Sequence, residues 1–159
     1  MSTGDWLRNA RGEWFVIAQT ALMLAVLVAP KLDGRNVFWT GITGAAGGPL
    51  CIVGLGFVVL GSIALGRNLS PFPKPKEKGT LVKSGIFSVV RHPIYSGFSL
   101  AAFGWSLLWN SIAALIAALL LLLAFFDIKA RREERWLEEK FTEYAAYRSR
   151  VKKLIPFVY

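Results

Sequence analysis

Apolar stretches long enough to cross a lipid bilayer constrain this chain more than any other feature of its sequence. A membrane-spanning helix needs about 20 mainly apolar residues, and such stretches recur within a chain of only 159 residues. Hydrophobic residues make up 54% of the sequence, and its mean hydropathy is +0.46. Little length remains for a water-soluble domain, so the sequence predicts an all-α fold, a polytopic bundle of helices in a membrane.

Four membrane spans are predicted, of which the last two form a tight hairpin. Their approximate bounds are Glu13 to Ala29, Leu50 to Leu65, Ile94 to Trp109 and Ile112 to Phe126. Residues 30–48 are predicted to form a glycine-rich loop, in which Phe38 and Trp39 would anchor the chain at the membrane interface. From Asp127 onward the chain is charged and amphipathic, which predicts a tail helix that lies on the membrane surface or folds back on the core.

The succession of apolar and charged segments predicts that the chain has two parts. Residues 1–65 contain two N-terminal spans, and residues 66–159 form a core. The core begins with a loop that extends to residue 92, and its alternating prolines forbid a helix and favour an extended, polyproline-like path. Such a loop is either a stiff linker on the surface or a lid over a site, and the sequence leaves both open.

The distribution of positive charge predicts how the chain lies in the membrane. The formal net charge is +9, but the cations flank the apolar runs and form no basic stripe with interleaved aromatic residues. Anionic lipids, not nucleic acid, are therefore the predicted partners. Two cations lie in the N-terminal segment, six in the 66–92 loop and nine in the tail, whereas only Lys31 and Arg35 lie on the opposite side. Because cationic loops stay cytoplasmic, both termini and the start of the third span are predicted to face the cytoplasm, at a bacterial or archaeal inner membrane.

The segment Arg91-His92-Pro93-Ile94-Tyr95-Ser96-Gly97 lies where the polar loop meets the third span, and it contains the only histidine. Proline is well tolerated in the first turn of a helix, so His92 is predicted to lie at the mouth of the third helix. Unpaired N–H groups and partial positive charge at that mouth suit an anionic ligand. A histidine beside a proline is also common as a simple helix-cap feature.

Glu133 and Glu134 lie in a dense charged cluster where the last span leaves the membrane. Unpaired carboxylates are costly to bury, so these two either pair with Arg131, Arg132 or Arg135 or bind a cation. With one cysteine and one histidine in the chain, no metal-binding cluster is predicted. The residues thus indicate a pocket at the lipid interface, but they identify no reaction.

A series of motifs runs in a fixed order through residues 66–159. They are Asn68-Leu69-Ser70-Pro71, Leu81-Val82-Lys83-Ser84-Gly85-Ile86-Phe87, Arg91-His92-Pro93-Ile94-Tyr95-Ser96-Gly97, Glu133-Glu134, Glu143-Tyr144-Ala145-Ala146-Tyr147 and Ile155-Pro156-Phe157. In this order they resemble the C-terminal core of the isoprenylcysteine carboxyl methyltransferase family, which is related to the phospholipid N-methyltransferases. The resemblance implies an integral membrane enzyme that uses S-adenosylmethionine as methyl donor and a lipophilic acceptor that enters from the bilayer.

The resemblance also implies which residues form the site. By motif position, the cofactor would be bound by Thr80, Leu81, Val82, Phe87, His92, Pro93, Ile94, Tyr95, Glu133 and Glu134. Lys129 and Arg131 lie close to the position of the arginine with which the prenylcysteine enzymes bind the substrate carboxylate. The chain departs from the family at two places. Lys129 stands near the position of the substrate-binding arginine, and a lysine lacks the bidentate fork of arginine. Ile86-Phe87 replaces the frequent Pro-Tyr of the family.

The acceptor stays open between an isoprenylcysteine-type carboxylate and a lipid headgroup. A carboxylate acceptor needs no general base, whereas an amine acceptor would have to lose a proton to Glu133, Glu134 or Tyr95. Two other functions compete with methyl transfer. NADPH-dependent steroid-reductase-like membrane enzymes also carry a His-Pro-x-Tyr-type segment but usually have more spans, and a non-enzymatic basic membrane adaptor would leave the order of residues around His92 unexplained.

Overall fold

The computed structural model describes residues 9–33 and 41–159. Phe38 and Trp39, the predicted interface anchors, lie outside the described residues. Across the two described ranges the chain forms helices and turns without a β-strand, apart from one isolated bridge between Val90 and Lys152. The predicted all-α fold is confirmed.

Six α-helices lie in the described ranges. They are α1 (Glu13–Val28), α2 (Gly41–Leu65), α3 (Pro93–Leu108), α4 (Ile112–Leu119), α5 (Asp127–Lys140) and α6 (Tyr144–Arg150). A π-helical segment, Leu120–Phe126, joins α4 to α5 without a break, so one long helix extends from Ile112 to Lys140. Short 3-10 turns lie at Ala29–Lys31, Gly66–Asn68 and Gly85–Ser88.

Three helices in the described ranges are long and apolar enough to cross a membrane. They are Glu13–Lys31, Gly41–Asn68 and Ile112–Lys140. The protein is therefore an integral membrane protein. The third predicted span corresponds to α3, which has 16 residues and is slightly short for a bilayer, so the total of four spans stays a prediction.

The second span begins earlier than predicted. Helix α2 starts at Gly41, so the prediction of a loop over residues 30–48 is wrong for residues 41–48. Glycine has a poor intrinsic helix propensity, but tight packing compensates for it here. A Cβ atom on Gly47 would lie 2.7 Å from the carbonyl oxygen of Gly104 on α3, so the glycine allows the two backbones to approach closely.

A substitution at the centre of this crossing tests how close the two helices are. A Cβ atom on Gly54 would lie 2.6 Å from both the Ala101 nitrogen and the Gly97 carbonyl oxygen. We expect Gly54→Ala to force α2 and α3 apart and to destabilise the protein by about 1–3 kcal/mol, measured as a lower midpoint of thermal unfolding in detergent. Gly56→Ala is the matched control, since no atom of the described part of the chain lies within 4 Å of its Cβ position. Equal unfolding midpoints for the two variants would contradict the close crossing.

The predicted hairpin between the last two apolar runs is confirmed. Helix α3 ends at Leu108 and α4 begins at Ile112, with Asn110 in the left-handed region at φ 49°. The Ser111 hydroxyl caps α4 by accepting a hydrogen bond from the Ala114 N–H at 3.0 Å. Asparagine tolerates this backbone conformation and serine is a favoured N-cap, which explains why the chain turns here.

The tail folds back on the core instead of forming one amphipathic helix. Its helical residues are divided between α5 and α6, and Tyr144, Tyr147 and Leu154 are buried. Beyond α6 the chain runs beside the segment before α3. The Arg91 N–H donates to the Lys152 carbonyl at 2.8 Å, and the His92 N–H donates to the Lys153 carbonyl at 3.1 Å. The tail thereby fixes the start of α3.

Candidate functional site

A cavity of about 400 Å³ lies where the proline-rich loop, the start of α3, α5 and the tail meet. Nine of the ten residues predicted to contact the cofactor line it, namely Thr80, Leu81, Val82, Phe87, His92, Pro93, Ile94, Tyr95 and Glu133. Lys129 also lines the cavity, whereas Glu134 and Arg131 do not. Residues that are far apart in the chain are thus brought to one place.

His92 lies at the mouth of α3, as predicted. It is the N-cap residue, and Pro93 is the first residue of the helix. Its ring stacks on that of Tyr95 with centroids 5.3 Å apart, and Tyr95 stacks on Phe126 of the long helix at 4.8 Å. The spacing of three residues within one helical turn brings the two rings onto one face, so the mouth has an ordered aromatic wall.

The two adjacent glutamates have different environments. The Tyr95 hydroxyl donates to Glu133 Oε2 at 2.6 Å, and the Glu133 side chain keeps 26% of its surface exposed. Glu134 is 2% exposed; its Oε1 accepts from Arg91 Nε at 2.9 Å and lies 3.1 Å from His92 Nε2. Glu133 therefore faces the cavity, while Glu134 supports the residues that line it.

The partners of Glu134 correct one alternative from the sequence. The sequence predicts pairing with Arg131, Arg132 or Arg135 if no cation is bound. In the structure Glu134 Oε1 lies 2.8 Å from Arg91 Nη2, and Glu134 Oε2 lies 3.7 Å from Arg148 Nε. The three arginines of the cluster lie together on a different side of α5 from Glu134. Arg132 lies two residues before Glu134 and Arg135 one residue after it, so helical geometry points both side chains away from Glu134. Arg131 pairs with Asp127 instead.

Lys129 is buried in the cavity wall, with 2% of its surface exposed. Its Nζ donates to Gln19 Oε1 at 2.5 Å and to the Pro71 carbonyl at 3.4 Å, and it lies 5.1 Å from the centroid of the Tyr95 ring. Arg131 is exposed and pairs with Asp127 at 2.6 Å. Of the two residues predicted to bind substrate, the structure brings only Lys129 to the cavity.

The proline-rich loop covers the cavity. Residues 68–76 and 79–82 all contribute to its lining. The Thr80 N–H donates to Asn68 Oδ1 at 3.1 Å, which closes the loop on itself, and Lys140 Nζ on α5 donates to the Glu77 carbonyl at 2.8 Å. The sequence left open whether this loop is a stiff surface linker or a lid over a site. Its position over the cavity favours the lid.

The sequence model of the phospholipid methyltransferase family matches residues 42–144. The chain belongs to this family. The matched stretch includes α2, the loop, α3 and the whole of the long helix, and it therefore contains most of the cavity. The family resemblance seen in the motifs is confirmed.

Three named proteins show how far the sequence similarity of this chain extends. The protein-S-isoprenylcysteine O-methyltransferase of Saccharomyces cerevisiae is 37% identical over 120 residues, which cover 69% of this chain and 50% of that protein. Protein-S-isoprenylcysteine O-methyltransferase B of Arabidopsis thaliana is 34% identical over 66% of this chain and 58% of its own. The cobalt-zinc-cadmium resistance protein CzcN of Cupriavidus metallidurans is 26% identical over 94% of this chain and 64% of its own. The chain spans about half to two thirds of the length of these relatives.

Two groups in the cavity of this phospholipid methyltransferase family member were not predicted from the sequence. Gln19 reaches the cavity from α1; a polar side chain inside an apolar span is itself a signal of function. Tyr144 also lines the cavity, is 1% exposed, and its hydroxyl has no hydrogen-bond partner among the described residues. Burial raises the pKa of Tyr144 well above its usual range, and the nearby Glu134 carboxylate raises it further. The hydroxyl therefore stays protonated and can donate to a ligand.

Proposed function

We propose that this protein is an integral membrane methyltransferase that uses S-adenosylmethionine and acts on a lipophilic acceptor. The observation that carries the proposal is the cavity at the mouth of α3, which lies in the stretch matched by the family and is lined by the residues of its motifs. Family membership favours this function over an NADPH-dependent reductase and over a basic membrane adaptor. By the charge rule for membrane topology, the cavity would face the cytoplasm.

The residues of the cavity fit S-adenosylmethionine, which carries an amino acid group, a cationic sulfonium and an adenine ring. Glu133 presents a partly exposed carboxylate suited to a cationic group. The N-terminus of α3 suits the methionine carboxylate, and Phe87 and Tyr147 offer aromatic surface for a ring. The Tyr144 hydroxyl, which has no hydrogen-bond partner in the described part of the chain, supports the fit. A buried hydroxyl without a partner costs about 1–3 kcal/mol, and a polar ligand group would relieve that cost.

When bound, S-adenosylmethionine would supply an activated methyl group on its sulfonium sulfur. The contribution of the protein would be mainly positioning and exclusion of water. Tyr95 orients the Glu133 carboxylate through its 2.6 Å hydrogen bond, and Glu134 orients the ring of His92 through the contact between its Oε1 and His92 Nε2. Glu134 would thus act as a positioning residue, while Glu133 would contact the cofactor. The loop would shield the site from water.

Lys129 would hold a negatively charged group of the acceptor. Its direct contacts are with neutral groups, namely an amide oxygen, a backbone carbonyl and an aromatic ring. The ammonium also attracts the Glu133 carboxylate, which lines the same cavity. An anionic ligand would share this cation with Glu133 in a setting where water screens charge weakly. An isoprenylcysteine-type carboxylate and a lipid phosphate both provide such a group, so the acceptor class is an anionic lipophile. A carboxylate acceptor would need no general base.

Calorimetric titration of the purified protein, in detergent and in lipid nanodiscs, tests the proposal. We expect S-adenosylmethionine and S-adenosylhomocysteine to bind with micromolar dissociation constants and NADPH not to bind. The absence of binding by both S-adenosyl compounds in both media would overturn the proposal. Binding of NADPH alone would instead favour the reductase-like alternative.

A further inference from the structure

We propose that the protein has a second ligand site, which binds the headgroup of an anionic phospholipid in a cleft between α1 and α5. The cleft has a volume of about 300 Å³ and is lined by Phe15, Ile128, Arg131, Arg132 and Arg135. Among the residues that the structure describes, none lines both this cleft and the 400 Å³ cavity. The proposal concerns bound lipid and does not rest on the proposed methyl transfer.

Helical geometry builds the basic wall of this cleft. Positions three, four and seven residues after Ile128 lie on the same side of a helix, so Arg131, Arg132 and Arg135 form one stripe along α5. All three side chains are exposed. Phe15 and Ile128 form an apolar wall at the end of the cleft nearer the membrane-spanning part of the long helix. The cleft is therefore apolar toward the membrane and cationic away from it.

The carboxylates of α5 leave most of this positive charge uncompensated. Asp127 pairs with Arg131 at 2.6 Å, but three of the four glutamates of the helix are bonded to groups outside the cleft. Within residues 9–33 and 41–159, neither Arg132 nor Arg135 forms an ion pair with another side chain. Arg132 lies over the ring of Trp136, 4.7 Å from its centroid, which leaves its N–H groups able to donate to a ligand.

A phospholipid headgroup matches both walls of the cleft. Guanidinium groups bind phosphate oxygens with paired hydrogen bonds, while the first carbons of the acyl chains would contact Phe15 and Ile128. Basic residues just beyond the end of a membrane span lie at the depth of the lipid phosphates. Free phosphate could use the arginines but not the apolar wall, so the geometry favours a lipid as the occupant.

Native mass spectrometry of the protein released from mixed nanodiscs tests this site. The nanodiscs would contain equal parts of phosphatidylglycerol and phosphatidylcholine with the same acyl chains. We expect the wild-type protein to retain phosphatidylglycerol with a preference of about tenfold, from the attraction of basic residues to anionic lipid. The triple variant R131Q/R132Q/R135Q should lose this preference. If that variant does not fold, Arg135→Gln alone should reduce the preference. Its side chain is exposed and forms no ion pair with another described residue, so the substitution should leave the fold intact.

A matched triple variant separates a built site from general attraction between a basic protein and acidic lipid. K78Q/R150Q/K152Q removes the same charge from three exposed positions outside the cleft, and it should keep the preference. Equal loss in both triple variants, or no preference in the wild-type protein, would overturn the site. Displacement of the lipid by millimolar inorganic phosphate would overturn its assignment to a phospholipid.

Discussion

Glu133→Gln is expected to weaken the binding of S-adenosylmethionine by about one to two orders of magnitude. The substitution keeps the shape of the side chain and an oxygen that can accept the hydrogen bond of Tyr95, so mainly the negative charge is lost. A hydrogen bond to a charged group contributes about 1.5–3 kcal/mol, and about 1.4 kcal/mol corresponds to a factor of ten in affinity. Calorimetric titration of the variant and the wild-type protein in one detergent measures the difference.

Comparison with S-adenosylhomocysteine shows which cationic group Glu133 contacts. Both compounds have the amino group, but only S-adenosylmethionine has the sulfonium charge. Equal weakening of both would assign Glu133 to the amino group, and weakening of S-adenosylmethionine alone would assign it to the sulfonium. Glu143→Gln is the control, because that carboxylate is 55% exposed and pairs with Lys83 at 2.7 Å, away from the cavity lining. An unchanged affinity in Glu133→Gln would remove this residue from the site.

Local rules made the start of α3 and the hairpin predictable from the sequence. The position of His92 follows from the proline after it, whose fixed φ favours the first turn of a helix. The hairpin follows from Asn110-Ser111, since both residues suit a turn followed by a helix N-cap. These features depend on neighbours in the chain, and the motifs that carry the family resemblance lie beside them.

The features that the sequence did not predict depend on contacts between distant residues. Gly44, Gly47 and Gly48 suggest a loop by their low helix propensity, whereas the close crossing of Gly47 with α3 favours a helix that begins before them. The Gln19 side chain accepts a hydrogen bond in the cavity wall from Lys129, which lies 110 residues away in the sequence. Tyr144 becomes part of the lining because the tail folds back. No local pattern specifies these pairings.

The pair Glu133-Glu134 shows the same limit most clearly. The sequence gives two identical residues side by side, and motif position assigned both to the cofactor. Their environments differ because α5 turns one toward the cavity and the other toward Arg91, which lies 43 residues before Glu134. The orientation of a helix about its axis is a property of the packed fold, so composition alone treats the two carboxylates as equivalent.

This difference predicts that Glu134, unlike Glu133, is needed for stability. Arg91 and Glu134 are both buried, and Arg91 also donates to the carbonyl oxygens of Arg148 and Val151. Removing one partner of a buried ion pair costs about 3–5 kcal/mol, because the remaining charge is left without compensation. We therefore expect Glu134→Ala and Arg91→Ala each to lower the midpoint of thermal unfolding in detergent strongly.

A double-mutant cycle distinguishes loss of the pair from loss of packing. The double variant Arg91→Ala/Glu134→Ala should be less destabilised than the sum of the two single variants by about 1 kcal/mol or more, because neither charge is left buried alone. Glu139→Ala, at an exposed position on the same helix, should leave the unfolding midpoint unchanged. Strictly additive effects of the two substitutions would mean that the ion pair does not couple the tail, α5 and the segment before α3. A strong coupling would show that the fold of the tail and the alignment of His92 depend on the same buried charges.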